Sequence, residues 1–169
     1  MSNVEITLRA AVPDDAKEVL QVSRQLAAET DFMIMDEAGL GLDEELLALH
    51  LAALYESENN LLLLAFADNA IIGMASVKAA SEFTVAHIGE LGISVLKEYW
   101  GMGLGSALIA ETIDWCESFS PLRRLELTVQ TRNQRAIHLY EKFGFVIEAK
   151  LARGARSAQG ELLEVLLMS

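Results

Sequence analysis

The chain has 169 residues, of which 52% are hydrophobic, so it can bury the core of one domain spanning residues 1–169. A single cysteine excludes an intramolecular disulfide, and the formal net charge of −12 disfavours nucleic acid or an anionic membrane as a partner. Because we find no apolar run of membrane-spanning length and no signal-peptide pattern, we expect a cytoplasmic protein.

The first half of the chain predicts two helices set among strands. Pro13 is typical of a helix start, and apolar residues follow it at helical spacing as far as Ala27. Residues 32–42 have no clear period and predict a loop, after which Asp43 is a candidate N-cap for a second helix. The strands predicted in this half cover residues 4–10, 61–67, 71–79 and 83–95.

The second half predicts helices over residues 104–119 and 133–143, with strands over 124–130, 145–151 and 161–168. Strands follow one another directly in the middle and at the end of the chain. This order favours an α+β fold, or mixed α/β, over a doubly wound sheet. The unit from Leu91 to Gln130 predicts a right-handed crossover that joins two parallel strands.

Three alternating glycines follow the strand that ends at Val95. They belong to the segment W-G-M-G-L-G-S, residues 100–106, which leads directly into a predicted helix. Glycine allows positive φ and close approach of a ligand, and a helix start offers unpaired N–H groups, so the segment predicts a phosphate site. No lysine follows the glycines, which excludes a P-loop. A dinucleotide fingerprint is disfavoured by the mid-chain position and by Gln130-Thr131 after the next strand.

Two segments together resemble the signatures of the GNAT acetyltransferase superfamily, especially bacterial members that acetylate small amines, amino acids or protein N-termini. The first is the glycine segment with the preceding strand, and the second is N-Q-R-A-I-H-L-Y-E-K-F-G-F over residues 133–145. Trp100 departs from the family pattern, in which glutamine or arginine usually begins the loop. The resemblance implies a central mixed, mostly antiparallel sheet of about seven strands, with one splayed parallel pair and helices on both faces.

The resemblance also implies acetyl-CoA as co-substrate and no metal, and the three histidines have no metal-ligand spacing. The pyrophosphate is expected on the glycine loop and the pantetheine along the strand before it. The residues expected to contact acetyl-CoA are Ile93, Ser94, Val95, Trp100, Gly101, Met102, Gly103, Leu104, Gly105, Ser106, Asn133, Ala136, Tyr140 and Lys142. For Lys142, as for Arg135, a solvated surface cation is an equal alternative to a phosphate contact.

Tyr140 and Glu90 are the candidates for the chemistry. Asn133 and Tyr140 lie two helical turns apart and therefore share a face. By resemblance, Asn133 binds the pantetheine and Tyr140 protonates the departing thiolate, and the alternatives are an N-cap and a core aromatic. Glu90 is a candidate base for the amine, or else an exposed strand residue. His87 is a weaker rival for that role, on the opposite face of the strand.

These residues predict an acyl-CoA-dependent N-acetyltransferase that acts by direct transfer on a small-molecule amine or a protein N-terminus. Thr30 and Phe32 are candidate substrate contacts. The alternatives are a non-catalytic acyl-CoA-binding or regulatory domain and, further off, a dinucleotide-binding protein. Exposed strand edges near the C-terminus are compatible with a homodimer, which the sequence alone does not establish.

Overall fold

The computed structural model describes residues 4–29 and 43–169, and within these ranges seven strands form one mixed sheet. The strands are β1 (Ile6–Ala10), β2 (Leu61–Ala67), β3 (Ala70–Ala79), β4 (Ile88–Val95), β5 (Arg124–Gln130), β6 (Ile147–Arg156) and β7 (Leu162–Met168). The helices are α1 (Ala16–Glu29), α2 (Glu44–Glu56), α3 (Leu104–Phe119) and α4 (Gln134–Lys142). Across the sheet the order is β1-β2-β3-β4-β5-β7-β6, and the β4–β5 pair is parallel while the others are antiparallel. The predicted fold class is confirmed.

The centre of the sheet is buried on both faces. Gly73 in β3 faces Leu104 and Leu108 of α3, so this helix covers one face. Because side chains alternate along a strand, Met74 and Ser76 project to the other face, on the side of α1 and α2. Helices therefore cover both faces, as the resemblance implied, and the nearly continuous apolar run of β2 follows from this double burial.

An ion pair closes the junction between β1 and α1. The guanidinium of Arg9 donates to both carboxylate oxygens of Asp15, at 2.8 and 2.9 Å, and the backbone N–H of Val12 donates to the same carboxylate at 2.8 Å. These bonds, chiefly the one from Arg9, lower the pKa of Asp15 below its ordinary value. Pro13 begins the short 3-10 turn Pro13–Asp15, which leads into α1 as the sequence predicts.

Two strand boundaries differ from the prediction by five residues, and the other differences are of one or two residues. β4 begins at Ile88 rather than Phe83, because the amide of Asn59 donates to the carbonyls of Ala80 and Ala86, at 3.1 and 3.0 Å, and holds the connection as a loop. Phe83 is 94% exposed in this loop. β6 runs past the predicted end at Leu151 as far as Arg156, because its pairing with β7 continues there.

The only thiol of the chain lies in α3. Cys116 is buried, and burial raises the pKa of its thiol to about 11. A buried thiol that stays protonated is a poor nucleophile, so the residue has the structural role that its place in an apolar helix predicts.

Candidate active site

A cleft of about 1120 Å³ opens where β4 and β5 part. Their parallel pairing runs from Ile88 with Arg124 to Glu90 with Glu126 and goes no further along the strands. From Leu127 onwards β5 pairs with β7 on its other side, as Leu127 does with Met168. The change of partner leaves the C-terminal half of β4 free along the cleft, and this splayed parallel pair is the one that the resemblance implied.

One end of the cleft is the glycine loop, residues 100–106. Gly101 and Gly103 have φ values of 80° and 78°, a conformation that side chains with a Cβ rarely adopt. Gly103 is the N-cap of α3 and has no side chain to satisfy the first turn of the helix. Within the described ranges, the N–H groups of Leu104, Gly105 and Ser106 donate to no protein acceptor. The loop therefore presents free donors at the positive end of a helix, which suits an anion.

Most of the loop residues that the sequence singled out line the cleft. Trp100, Gly101, Gly103, Leu104 and Gly105 do so, as do Ile93, Ser94 and Val95 of β4. The side chain of Met102 is 73% exposed and does not form part of the lining, and neither does Ser106. A role for these two residues would have to come from their backbone N–H groups.

The face of α4 that carries Asn133, Ala136 and Tyr140 forms a second wall of the cleft. The side-chain oxygen of Asn133 accepts the N–H of Ala136 at 3.3 Å, so Asn133 is the N-cap of α4. Its side-chain NH₂ group has no acceptor among the described residues and is available to a ligand. Asn133 therefore combines the cap with the geometry of a ligand contact.

Tyr140 lies two turns further along the same face. Its side chain is 8% exposed, and its ring packs edge-on against Phe145 with 5.9 Å between the ring centroids. Burial raises the pKa of the phenol to about 12 because the phenolate would be poorly solvated there. The hydroxyl is therefore protonated at neutral pH and can donate a proton or a hydrogen bond into the cleft.

The other end of the cleft carries charged side chains on β3 and β4. Glu90 lies directly opposite Lys78 in the strand register, and both side chains are exposed and line the cleft. No ion pair joins either residue to another described residue. On its other side, Glu90 is the register partner of Glu126, whose carboxylate accepts from Arg124 at 3.0 Å. Glu90 is thus the carboxylate that faces the cleft.

Two further predicted residues, His87 and Lys142, lie outside the cleft lining. His87 precedes β4 and does not line the cleft, which removes it as a rival to Glu90. Lys142 is exposed at the end of α4, outside the cleft lining, with its ammonium 5.9 Å from the centroid of the Phe143 ring. Thr30 and Phe32 lie outside the described residues.

The cleft also contains side chains that the sequence did not single out, namely Lys78, His50 and Arg132. They come from β3, α2 and the turn before α4, which lie far apart along the chain. No local motif marks these positions. Lys78 lies beside Glu90 through the β3–β4 register, which the local sequence does not determine.

Two features are absent from the described residues. In the part of the chain that the structure describes, no three His, Cys, Asp or Glu side chains cluster in a way that could hold a metal ion. None of the described helices has both the length and the apolar character needed to cross a membrane.

Known proteins match parts of this chain in sequence. The model of the acetyltransferase (GNAT) family matches residues 28–145. An L-amino acid N-acetyltransferase of Escherichia coli is 34% identical over 86 residues, which cover 51% of this chain and 53% of that protein. A spermidine N(1)-acetyltransferase of Vibrio cholerae is 36% identical over 62 residues, which cover 37% of this chain and 36% of that protein. The chain thus matches about half the length, or less, of these curated relatives.

Solved structures match the fold over nearly all of the chain. An acetyltransferase of the GNAT family from Streptococcus pneumoniae has a TM-score of 0.93 and 43% identity, covering 97% of this chain and 98% of that one. A phosphinothricin acetyltransferase from Sinorhizobium meliloti, solved in complex with acetyl-CoA, has a TM-score of 0.79 and 21% identity, covering 96% of this chain and 86% of that one. With the family model matching well over half of its residues, this chain belongs to the acetyltransferase (GNAT) family.

Proposed function

We propose that this chain transfers the acetyl group of acetyl-CoA to a primary amine, directly and in a ternary complex within one domain. The observation that carries the proposal is the parting of β4 and β5 beyond Glu90 and Glu126. It opens a cleft that the glycine loop and Tyr140 both line. The names of the amino-acid and spermidine acetyltransferases among the relatives support amine acetylation.

In this proposal the donor lies along one half of the cleft. The free N–H groups of the glycine loop and the first turn of α3 bind the pyrophosphate. The pantetheine amides run beside Ile93, Ser94 and Val95, whose strand has no partner on the cleft side, with the amide of Asn133 as a further donor. The loop binds through its backbone, which suits a chain whose net charge is −12.

The reaction then needs two proton movements. The neutral amine attacks the thioester carbonyl, and a backbone N–H near Ile93 or Ser94 stabilises the oxyanion of the tetrahedral intermediate. As the carbon–sulfur bond breaks, Tyr140 donates a proton to the departing thiolate. Glu90 takes the proton that the amine must lose, directly or through water. The non-catalytic alternative has less support, because both candidate groups line the same cleft as the loop.

The end of the cleft that carries Lys78 and Glu90 is the proposed acceptor end. Its charges favour an amine that also carries a carboxylate. Lys78 lies beside Glu90 on one face of the sheet, and no ion pair joins the two side chains. An amino acid would place its amine at the carboxylate and its own carboxylate at the ammonium. A polyamine such as spermidine would instead bring several positive charges to a described lining whose one carboxylate is Glu90. We therefore propose a free amino acid ahead of a polyamine or a protein N-terminus.

A thiol-release assay with acetyl-CoA tests both parts of the proposal. The acceptor panel contains an L-amino acid, its amide, spermidine and a peptide with a free N-terminus. We expect the amino acid to be acetylated best, and the amide isolates the contribution of its carboxylate. If none of these amines causes release of CoA, and calorimetry detects no binding of acetyl-CoA, the assignment is overturned.

Tyr140→Phe tests the acid role. We expect it to lower kcat about a hundred-fold while the Kd of acetyl-CoA changes less than about two-fold, because only the hydroxyl is removed. Tyr55→Phe makes the same chemical change at an exposed site outside the cleft and serves as the matched control. Full activity of Tyr140→Phe would refute the acid assignment and leave the fold assignment intact.

We also propose that the protein is cytoplasmic and forms a homodimer through its C-terminal strand edge. The single cysteine supports a reducing compartment. β6 is the outer strand of the sheet, and most of its side chains are exposed, which supports pairing of this edge with a second copy. Analytical ultracentrifugation would distinguish the dimer from a monomer.

A further inference from the structure

Trp100 replaces the usual first residue of the loop and makes two specific contacts. Its indole N–H donates to the carbonyl of Val95, the last residue of β4, at 2.8 Å. The guanidinium carbon of Arg135, on the first turn of α4, lies 5.3 Å from the centroid of the Trp100 ring. A cation at this distance from an indole face is held by a cation–π interaction. The ring therefore links β4, the loop and α4.

The contact places the charge of Arg135 at the glycine loop. The Nη2 atom of Arg135 is 3.8 Å from the point where a Cβ on Gly101 would lie, and Gly101 has no Cβ. Among the described residues no carboxylate forms an ion pair with Arg135, although the chain carries 25 acidic side chains. An uncompensated guanidinium beside free N–H groups is suited to a phosphate, which it can bind through two N–H donors.

We propose that Trp100 is a positioning residue that holds the Arg135 guanidinium over the glycine loop, where it binds the pyrophosphate of the donor. This inference rests on the proposed function, since it assumes that acetyl-CoA is the ligand of the loop. The indole face fixes a flexible arginine before the ligand arrives, so less side-chain entropy is lost on binding. Trp100 carries no charge of its own, and in this arrangement the charge beside the first position of the loop comes from Arg135 of α4.

Calorimetric titration of acetyl-CoA into the 169-residue chain and its variants tests this coupling. We expect Arg135→Gln to raise the Kd about ten-fold and Trp100→Ala about five-fold. Because Trp100 acts through Arg135, the double variant should bind within about two-fold of Arg135→Gln alone. Lys17→Gln, which removes an exposed charge from α1, is the control and should bind like the wild type. Additive losses in the double variant would overturn the proposal.

A second acetyl donor distinguishes a positioning role of Trp100 from a general effect of this residue on the stability of the loop. S-acetylpantetheine has the thioester but no pyrophosphate, so its kcat/KM should change less than about two-fold in Trp100→Ala. An equal loss with both donors would show that Trp100 only stabilises the loop. Should Trp100→Ala fail to fold, Trp100→Phe keeps an aromatic face without the N–H, and we expect a smaller loss of acetyl-CoA affinity. Wild-type protein that binds no acetyl-CoA would refute the proposed function itself, whereas unchanged binding by the variants would refute only this inference.

Discussion

The two ends of the cleft are built in different ways. The loop end presents the free backbone N–H groups that follow Gly103, together with side chains at the start of α4, among them Asn133. The acceptor end uses side chains from separate elements, with Lys78 on β3 and Glu90 on β4. A constant ligand can be held by a fixed backbone, while side chains on exposed strand positions can change without disturbing the fold. We therefore expect recognition of the proposed donor and acceptor to be separable in this protein.

Among these variants, Glu90→Gln at the acceptor end is expected to have the largest effect, and on the amine alone. Loss of the base should lower kcat/KM for the amine about ten- to a hundred-fold near neutral pH, with the Kd of acetyl-CoA unchanged. The defect should shrink as pH rises towards the pKa of the acceptor amine, because more of the amine is then already neutral. Glu82→Gln, in the exposed connection before β4, is the control. A defect of equal size at every pH would contradict a role as base.

A smaller change is expected at the loop end from Asn133→Asp. Aspartate caps a helix as well as asparagine, so the free energy of unfolding should stay within about 0.5 kcal/mol of the wild type. The variant loses the NH₂ donor and adds a negative charge to the cleft, so the Kd of acetyl-CoA should rise about five-fold. Asn133→Ala should lose both the cap and the ligand contact. If Asn133→Asp binds acetyl-CoA like the wild type in a calorimetric titration, the residue is a cap alone.

The smallest effect is expected from Asp15→Asn, which lies at neither end of the cleft. The Arg9 contact holds the pKa of Asp15 below its ordinary value, so the ionised carboxylate stabilises the fold above about pH 4. That contribution is lost as pH falls through the lowered pKa. Urea unfolding should show Asp15→Asn less stable by about 1 kcal/mol at neutral pH, and the difference should vanish in acid. A change in KM for either substrate would contradict the expectation that Asp15, which lies at neither end of the cleft, affects only stability.

The sequence predicts the loop end well because its determinants are local. Positive φ at Gly101 and Gly103, the cap at Asn133 and the shared face with Tyr140 each depend on a few neighbouring residues. The predicted start of β4 is wrong for the opposite reason. Phe83 and Val85 alternate like strand residues, but side-chain hydrogen bonds from Asn59, more than 20 positions away, fix that segment as a loop.

The acceptor end and the contact of Trp100 could not be predicted in the same way. Lys78 gains its place beside Glu90 only through the β3–β4 register, and Arg135 meets Trp100 only when α4 packs against the loop. From the sequence, Trp100 is a departure from the family pattern with no visible partner. The structure supplies the partner, and with it a reason for an aromatic residue at that position.

The burial of Cys116 has a practical consequence for studying this protein. A reaction that releases CoA is followed most simply with a coloured disulfide reagent, which any reactive thiol of the protein would also consume. The one cysteine of this chain is buried and its thiol has a pKa of about 11, so the folded protein should leave such a reagent untouched. The absorbance change then measures only the CoA that the reaction releases. Because Cys116 is unreactive in the folded protein, a single reporter cysteine can also be introduced at either end of the cleft and labelled without first removing Cys116.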